Sequence, residues 1–293
     1  MNTNLLAKRA SSLHLAAISL AENLRNGAFK SLYRGQGIEF SDVREYQPFD
    51  NVRAIDWNVT ARMGRAFIKQ YEEEKELSVF FILDCSSSMK AHFSSKSKLS
   101  QAQETAMLLL LASEHNSSQV GAVFFDGKIQ FSAEPKAGKS KAMTIFSRLD
   151  KIDSLPNEEK VNGSALPNAI IGAEKLLKKR SLVFILSDFR VSGWEKPFAR
   201  LAQKNDVVAL KITSPEDEKI PEIGTVPFFD NESKKNSLFP TNSKGFQNEW
   251  QEAEINRREA FKDFCTKHGG YPVILSTEDD SVQVLSRFFK SKF

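Results

Sequence analysis

The chain has 293 residues, 41% of them hydrophobic, and a formal net charge of +4. That length is enough to bury a full core, no apolar run reaches the ~18 to 20 residues that a membrane-spanning helix needs, and the N-terminus lacks the apolar core of a signal peptide. We therefore expect a soluble, cytoplasmic protein without stable membrane insertion.

The first part of the chain carries all of the excess positive charge. Residues 1–71 contain 10 Lys and Arg against 6 Asp and Glu, whereas the remaining residues contain 31 of each sign. No zinc finger, aromatic RNA-binding motif or dense Lys/Arg cluster accompanies this excess, so no nucleic-acid partner is predicted. An acidic protein partner is the better expectation.

Two segments make up this first part, which we expect to span residues 1–76. Residues 4–26 have the spacing of an amphipathic helix that ends at Asn26-Gly27. Residues 34–65 mix aromatic, Arg and Asp residues without a clean period. This mixture favours a loop-rich layer held together by pairs of arginine and carboxylate side chains.

The arginines of this layer fall into two predicted groups. We expect Arg44 and Arg53 to be tied to internal acids such as Asp50 or Asp56. Arg62 and Arg65 are predicted to be freer to contact a partner.

The next stretch predicts the centre of the fold. Residues 79–83 are β-branched or large and apolar with no alternation, which is typical of a strand buried on both faces of a parallel sheet. Asp84, Ser86 and Ser88 place a carboxylate and two hydroxyls after its carboxyl end, at the edge where open α/β sheets bind ligands. An Asp followed by serines also occurs in ordinary turns and helix N-caps, so this segment alone leaves both interpretations open.

Two further segments extend the candidate site. Residues 181–189 form a second apolar strand with Asp188 near its end, and adjacent parallel strands would bring Asp84 and Asp188 to one edge. Ser164, at the start of a predicted helix, adds another hydroxyl. Oxygen ligands without His or thiolate suit a hard divalent cation, Mg²⁺ first and then Mn²⁺ or Ca²⁺.

The D-x-S-x-S pattern resembles the first segment of the metal-ion-dependent adhesion site of von Willebrand factor A domains. Ser164 stands where those domains carry Thr, which keeps the ligand oxygen but not the stiff χ1 of Thr. The resemblance implies that Asp84, Ser86, Ser88, Ser164 and Asp188 together hold the metal.

The remaining chain alternates strands and helices. A hairpin is predicted at Asp126-Gly127, and residues 213–244 are expected to form a hairpin excursion. Helices are predicted at residues 97–114, 140–150, 165–179, 193–204, 245–268 and 279–290, and further strands at 207–212 and 271–275. The pattern predicts an α/β fold for residues 77–293, a doubly wound, mostly parallel sheet flanked by helices.

A longer pattern connects the two regions. It comprises Gly37-x-Glu39-Phe40, Arg44-x-Tyr46-x-Pro48, Asp50-x-x-Arg53-x-Ile55-Asp56-Trp57 and Ala61-Arg62-x-Gly64, followed by Tyr71-Glu72-Glu73-Glu74 before the D-x-S-x-S strand. This pattern resembles the bacterial "domain of unknown function 58" family, with Phe49 where that family usually has Gly. The resemblance implies a von Willebrand factor A-like domain and a MoxR-type AAA ATPase as companion in the assembly or maturation of other proteins.

A nucleotide-binding alternative stays open at this point. Residues 133–140 satisfy a loose P-loop pattern around Lys139, with Asp188 as a Walker B-like carboxylate. Against it, Ala133 replaces the first Gly, and Pro135 removes a backbone N–H that would face phosphate. Because no general base is evident either, we favour a non-catalytic, metal-dependent protein-interaction module over an enzyme.

Overall fold

A computed structural model describes residues 34–48, 50–74, 77–90, 96–152, 165–229 and 236–291. The predicted helix at residues 4–26 and the predicted ligand Ser164 lie outside these ranges. The strands are β1 (Arg34–Glu45), β2 (Phe67–Glu74), β3 (Ser78–Asp84), β4 (Gln119–Asp126), β5 (Lys128–Lys136), β6 (Leu182–Ser187), β7 (Asp206–Thr213), β8 (Thr225–Phe229), β9 (Asn236–Pro240) and β10 (Tyr271–Ser276).

Helices occupy most of the connections between these strands. They are α1 (Trp57–Met63), α2 (Ser87–Lys90), α3 (Lys98–His115), α4 (Lys139–Asp150), α5 (Ala165–Leu176), α6 (Glu195–Lys204), α7 (Pro215–Glu218), α8 (Lys244–Lys267) and α9 (Ser281–Ser291), with a 3₁₀ turn at Val52–Ala54. The predicted helices of the second region are all confirmed, with shifts of a few residues at their ends. The short helices α2 and α7 were not predicted.

A six-stranded sheet forms the centre of the structure, in the order β10-β7-β6-β3-β4-β5. Every neighbouring pair is parallel except β4 and β5, which form the predicted hairpin. Counted along the chain, the six strands run 6-5-4-1-2-3, the strand order of Rossmann-like folds read from the other side. The predicted doubly wound, mostly parallel sheet is therefore confirmed.

Side chains of β3 point alternately into two cores, which explains its unbroken apolar sequence. Val79, Phe81 and Leu83 pack on one face with α3, α4 and α9. Phe80 and Ile82 pack on the other face with α5, α6 and α8. Each fully buried side chain of this kind contributes roughly 1.5–3 kcal/mol, so β3 is a main source of stability on both faces.

The prediction of a loop-rich layer at residues 34–65 is wrong in part, because this segment contains a long strand and a helix. β1 pairs antiparallel with β2, and α1 lies between them in the chain. The Asp56 side chain begins α1 by accepting hydrogen bonds from the backbone N–H groups of Asn58 and Val59, and Gly64 ends it in a left-handed conformation at φ +67°. The charged residues of β1 hide its strand character because they break the alternation typical of strands.

One predicted ion pair of this layer is confirmed. The Arg44 guanidinium donates two hydrogen bonds of 2.7 Å, one to each carboxylate oxygen of Asp50. These bonds hold the pKa of Asp50 below its usual range. The side chain of Arg53 lies outside the described residues.

The surroundings of two glycines predict opposite effects on stability when each is replaced by alanine. A Cβ at Gly121 in β4 would lie 2.7 Å from Pro135 N and 2.8 Å from Ala133 O. We expect Gly121→Ala to lower the free energy of unfolding by about 1–3 kcal/mol, since backbone atoms cannot move aside easily. Gly245, in the first turn of α8, has only Ser243 Oγ nearby, at 3.8 Å.

Gly245→Ala serves as the control. It should raise stability by about 0.5–1 kcal/mol because alanine favours helix. Urea unfolding of the three proteins measures both effects, and equal stabilities would contradict the packing at β4 and β5.

Candidate functional site

The strand order reverses between β3 and β6, the two strands at the centre of the sheet. They pair directly in parallel, beginning with Val79 opposite Leu182. The helices that follow them pack on opposite faces, so a crevice opens at their carboxyl ends, where sheets of this type bind ligands. Asp84 ends β3 and Asp188 directly follows β6, so the structure brings both predicted carboxylates to this point.

The carboxylate of Asp84 is buried and fixed from two sides. Its Oδ2 accepts a 2.6 Å hydrogen bond from Ser187 Oγ. Its Oδ1 accepts a 3.0 Å hydrogen bond from the backbone N–H of Ser86. The carboxylate therefore has a defined orientation before any ligand arrives.

Asp188 is equally buried but less well satisfied. Its Oδ1 accepts a 3.1 Å hydrogen bond from the backbone N–H of Arg190. Its Oδ2 is buried and has no hydrogen-bond partner. The nearest cation is Lys98, whose Nζ lies 3.8 Å from Oδ2, beyond hydrogen-bonding distance.

This environment changes the acidity of Asp84. Burial, and after it the charge of the neighbouring Asp188, raise the pKa of its carboxyl group to about 6. The hydrogen bonds from Ser187 and Ser86 act in the opposite direction. Two acids side by side in a buried site thus favour the neutral form of one of them.

Two hydroxyls extend the site toward solvent. Ser86 is half-buried and Ser88 is exposed, and their Oγ atoms are 3.1 Å apart at the start of α2. Of the five predicted ligands, the structure therefore brings four to the same edge. The fifth, Ser164, lies outside the described residues.

A network of charged side chains lies beside Asp188, and we call it the Asp217 network; Lys98, Asp217 and Glu254 are its buried members. Lys98 Nζ and Arg190 Nη2 each lie 2.9 Å from the carboxylate of Asp217. Arg190 also lies 3.6 Å from Glu254, which accepts a 2.6 Å hydrogen bond from Arg257. Burial alone would raise the pKa of Asp217, but Lys98 and Arg190 outweigh it and lower that pKa below its usual range.

Sequence reasoning missed most of these residues for a physical reason. Lys98 and Asp217 are 119 positions apart, and neither belongs to a local pattern. Ser187 stands beside Asp188 at the end of its strand, but nothing in the sequence marks it as the hydrogen-bond donor to Asp84. Lys211 offered a clearer signal, since it is a single charge inside the apolar strand β7.

The nucleotide-binding alternative does not agree with the positions of its residues. Residues 133–136 belong to β5, an edge strand separated from β6 by β3 and β4. Because Lys136 pairs with Val120 at the start of β4, Lys139 lies at the opposite edge of the sheet from Asp188. A single phosphate cannot contact both residues.

Comparison with known proteins identifies the family. The family model described as "Protein of unknown function DUF58" matches residues 42–260, which is most of the chain. The chain belongs to this family. Uncharacterized proteins of Mycobacterium tuberculosis and Mycobacterium bovis are 26% identical to it over 229 residues, which cover 78% of this chain and 71% of each relative.

Solved structures show a more distant likeness. BatB from Bacteroides thetaiotaomicron is 19% identical with a TM-score of 0.47, covering 74% of this chain and 98% of that one. An aerotolerance-related membrane protein from Bacteroides fragilis is 18% identical with a TM-score of 0.48, covering 73% and 97%. In the described part of the present chain, no helix has the length and apolarity needed to cross a bilayer.

The raised pKa of Asp84 predicts an unusual pH dependence for the metal-free protein. Between the ordinary value of 3.8 and about 6, the folded state holds a proton that the unfolded state has released. Stability should therefore fall as the pH rises through this window, by up to about 3 kcal/mol. Asp84→Asn has no such proton to lose and should lack this decrease.

Urea unfolding in chelator from pH 4 to pH 7 measures the two slopes. Asp263→Asn removes an exposed carboxylate on α8 and should follow the wild type. Parallel curves for the wild type and Asp84→Asn would contradict the burial of a charged pair at this site.

Proposed function

We propose that this chain is a non-catalytic, metal-dependent protein-interaction module that acts with a MoxR-type AAA ATPase in the assembly or maturation of other proteins. The observation that carries the metal part is the pair of buried carboxylates at the point of strand reversal, with Asp188 Oδ2 lacking a hydrogen bond. A divalent cation is the simplest group that would satisfy both acids at once.

The donor set fits a hard cation. Asp84, Ser86, Ser88 and Asp188 offer only oxygen, and Ser164 is the proposed fifth ligand. No cluster of three or more His, Cys, Asp or Glu side chains suited to a metal occurs among the described residues, so hydroxyls would complete the site. Mg²⁺ would supply positive charge between the carboxylates and an open position for a carboxylate of the partner, and Mn²⁺ or Ca²⁺ could replace it.

Lys98 does not remove the need for such a cation. Its ammonium lies 2.9 Å from Asp217 but 3.8 Å from Asp188. Its charge is therefore shared, with the closer contact to Asp217. The Asp84–Asp188 pair is left with only partial compensation, which supports the proposed metal.

The positions of the described histidines also favour binding over catalysis. His115 ends α3 shortly before β4 begins, and His268 lies directly after α8 and before β10. Both therefore lie near the amino ends of parallel strands, at the edge opposite to Asp84 and Asp188. Neither is placed to act as a general base at the carboxylate pair.

Helix α1 provides the proposed contact surface for the partner, and we call it the α1 surface. Trp57, at the start of α1, is 68% exposed, and Met63, at its end, is 63% exposed. Arg62 in the last turn and Arg65 just after the helix are exposed as well. Aromatic, methionine and arginine side chains are enriched at protein interfaces. Two arginines beside exposed apolar groups suit an acidic protein, and the family resemblance suggests a MoxR-type ATPase in that role.

Melting curves with and without Mg²⁺ test the metal site. At ten times its dissociation constant, Mg²⁺ should stabilise the wild type by roughly 1.4 kcal/mol. Asp188→Asn and Ser86→Ala should each lose most of this gain, because the first removes a negative charge from the site and the second removes a ligand oxygen. The exposed substitution Asp263→Asn should keep it. An unchanged Mg²⁺ response in Asp188→Asn would exclude the proposed site.

Charge reversal at Arg65 tests the α1 surface. Its side chain is 73% exposed and its guanidinium lies 3.6 Å from Glu45, so this exposed pair contributes little to stability. Arg65→Glu should therefore weaken binding of the MoxR-type ATPase from the same organism roughly tenfold without lowering the melting temperature.

Lys290→Glu makes the same charge change at an exposed position of α9 and is the matched control. Surface plasmon resonance and thermal melting of both variants separate binding from folding. Equal affinity of the two variants, or a lower melting temperature for Arg65→Glu alone, would count against a partner contact at Arg65.

A further inference from the structure

A cavity of about 570 Å³ lies beside Asp188, between the loop after β6 and helix α8. Four aromatic side chains line it, namely Phe189, Trp194, Phe261 and Phe264. They contact one another closely, since the rings of Phe189 and Phe261 are 4.9 Å apart and those of Trp194 and Phe264 are 5.2 Å apart. A cavity of this size and lining is typical of sites for small organic molecules.

Lys211 provides the unusual polar group of this cavity. It lies in the middle of β7 and is only 4% exposed. Its Nζ donates a 3.3 Å hydrogen bond to the backbone carbonyl of Asp188 and lies 5.5 Å from the centre of the Phe261 ring. Within the described part of the chain it forms no ion pair with a carboxylate. A buried ammonium with one long hydrogen bond has unused donors.

Four charged side chains line the cavity, namely Arg190, Glu195, Lys211 and Arg257, and of these Lys211 is the buried one. Arg190 and Arg257 also line the cavity, but both are paired through the Asp217 network. That network already shares its two acids, Asp217 and Glu254, among three cations including Lys98. Glu254, Asp188 and Asp217 attract the ammonium of Lys211 from beyond ion-pair distance, so the cost of burying its charge is only partly offset.

The backbone at the cavity wall is also unusual. Phe189 is a non-glycine residue in the left-handed region, at φ +52°. Such strain is found mainly where a function requires a particular side-chain direction. Here it turns Phe189 toward Trp194, with ring centres 5.0 Å apart, and so completes the aromatic wall.

We propose that this cavity, the Lys211 cavity, binds an organic carboxylate with a flat apolar body. The carboxylate would pair with the ammonium of Lys211, and the apolar body would lie among the aromatic rings of Trp194, Phe261 and Phe264. The same chemistry is offered by a free aromatic acid and by a peptide that ends in an aromatic residue. The inference does not depend on the proposed metal site, because none of these contacts involves a metal.

Calorimetric titration in the presence of chelator tests the proposal with two matched pairs of probes. One pair is indole-3-acetate and the neutral indole-3-acetamide. The other is N-acetyl-Gly-Gly-Trp with a free carboxylate and with an amidated C-terminus. In at least one pair the acid should bind ten times more tightly than the amide or better, and the pair that does so identifies the source of the carboxylate.

Three variants of the full chain locate the binding. Lys211→Met should weaken the acid at least tenfold, whereas Lys262→Met, which removes an exposed ammonium from the same wall helix, should not. Because Lys211 is buried, a second variant protects the test. Ala260→Phe changes an exposed residue at the cavity lining, should fold normally and should also abolish binding by filling the space.

Three outcomes would overturn the proposal. Equal affinity for acid and amide would show that Lys211 does not recognise charge. Full binding by Ala260→Phe would place the ligand elsewhere. Failure of all four probes to bind would show that the cavity is not a carboxylate site.

Discussion

The carboxylates of Asp84 and Asp188 lie together in a buried position at the carboxyl ends of β3 and β6. The polar groups around them reduce the electrostatic cost of this arrangement. Asp84 is held by Ser187 and by the backbone of Ser86. The carboxylate of Asp188 receives only one hydrogen bond, and the ammonium of Lys98 lies 3.8 Å from it. Hydrogen bonds therefore satisfy the carboxylate of Asp84 more fully than that of Asp188, one oxygen of which is buried without a hydrogen bond.

This arrangement follows from the topology of the sheet. Strands buried on both faces must be apolar along their length, so their polar residues collect where the strands end. Because β3 and β6 are parallel neighbours, their carboxyl ends coincide, and the helices after them diverge to opposite faces. A chain that places an acid after each strand thereby acquires a buried acidic pair without any further specification.

Most of the fold was predictable from sequence because its signals are local. The unbroken apolar strands, the helix spacing and the Asp126-Gly127 turn each lie within a short window, and all are confirmed. The failure at β1 has a different origin. In β1, charged side chains mask the strand, and its pairing with β2 supplies the order that propensity does not.

The candidate site is likewise only partly predictable from the sequence. Asp84 and Asp188 follow directly from strand endings, whereas Lys98 reaches Asp217 across 119 positions of sequence. No local pattern records such a contact. Sequence reasoning thus finds the acids that would need compensation, while only the three-dimensional structure reveals which cations are already engaged.

A single residue connects the two candidate binding sites. The side chain of Asp188 points into the acidic pair, while its backbone carbonyl accepts the hydrogen bond from Lys211 in the cavity. The next residue, Phe189, is held in a left-handed conformation and forms part of the cavity wall. A ligand that draws the ammonium of Lys211 away from this carbonyl would alter the hydrogen bonding of the same residue whose carboxylate faces Asp84. The backbone of Asp188 and Phe189 is thus the place where a ligand in the cavity and a cation at the acidic site would influence each other, and by linkage any such effect would act equally in both directions.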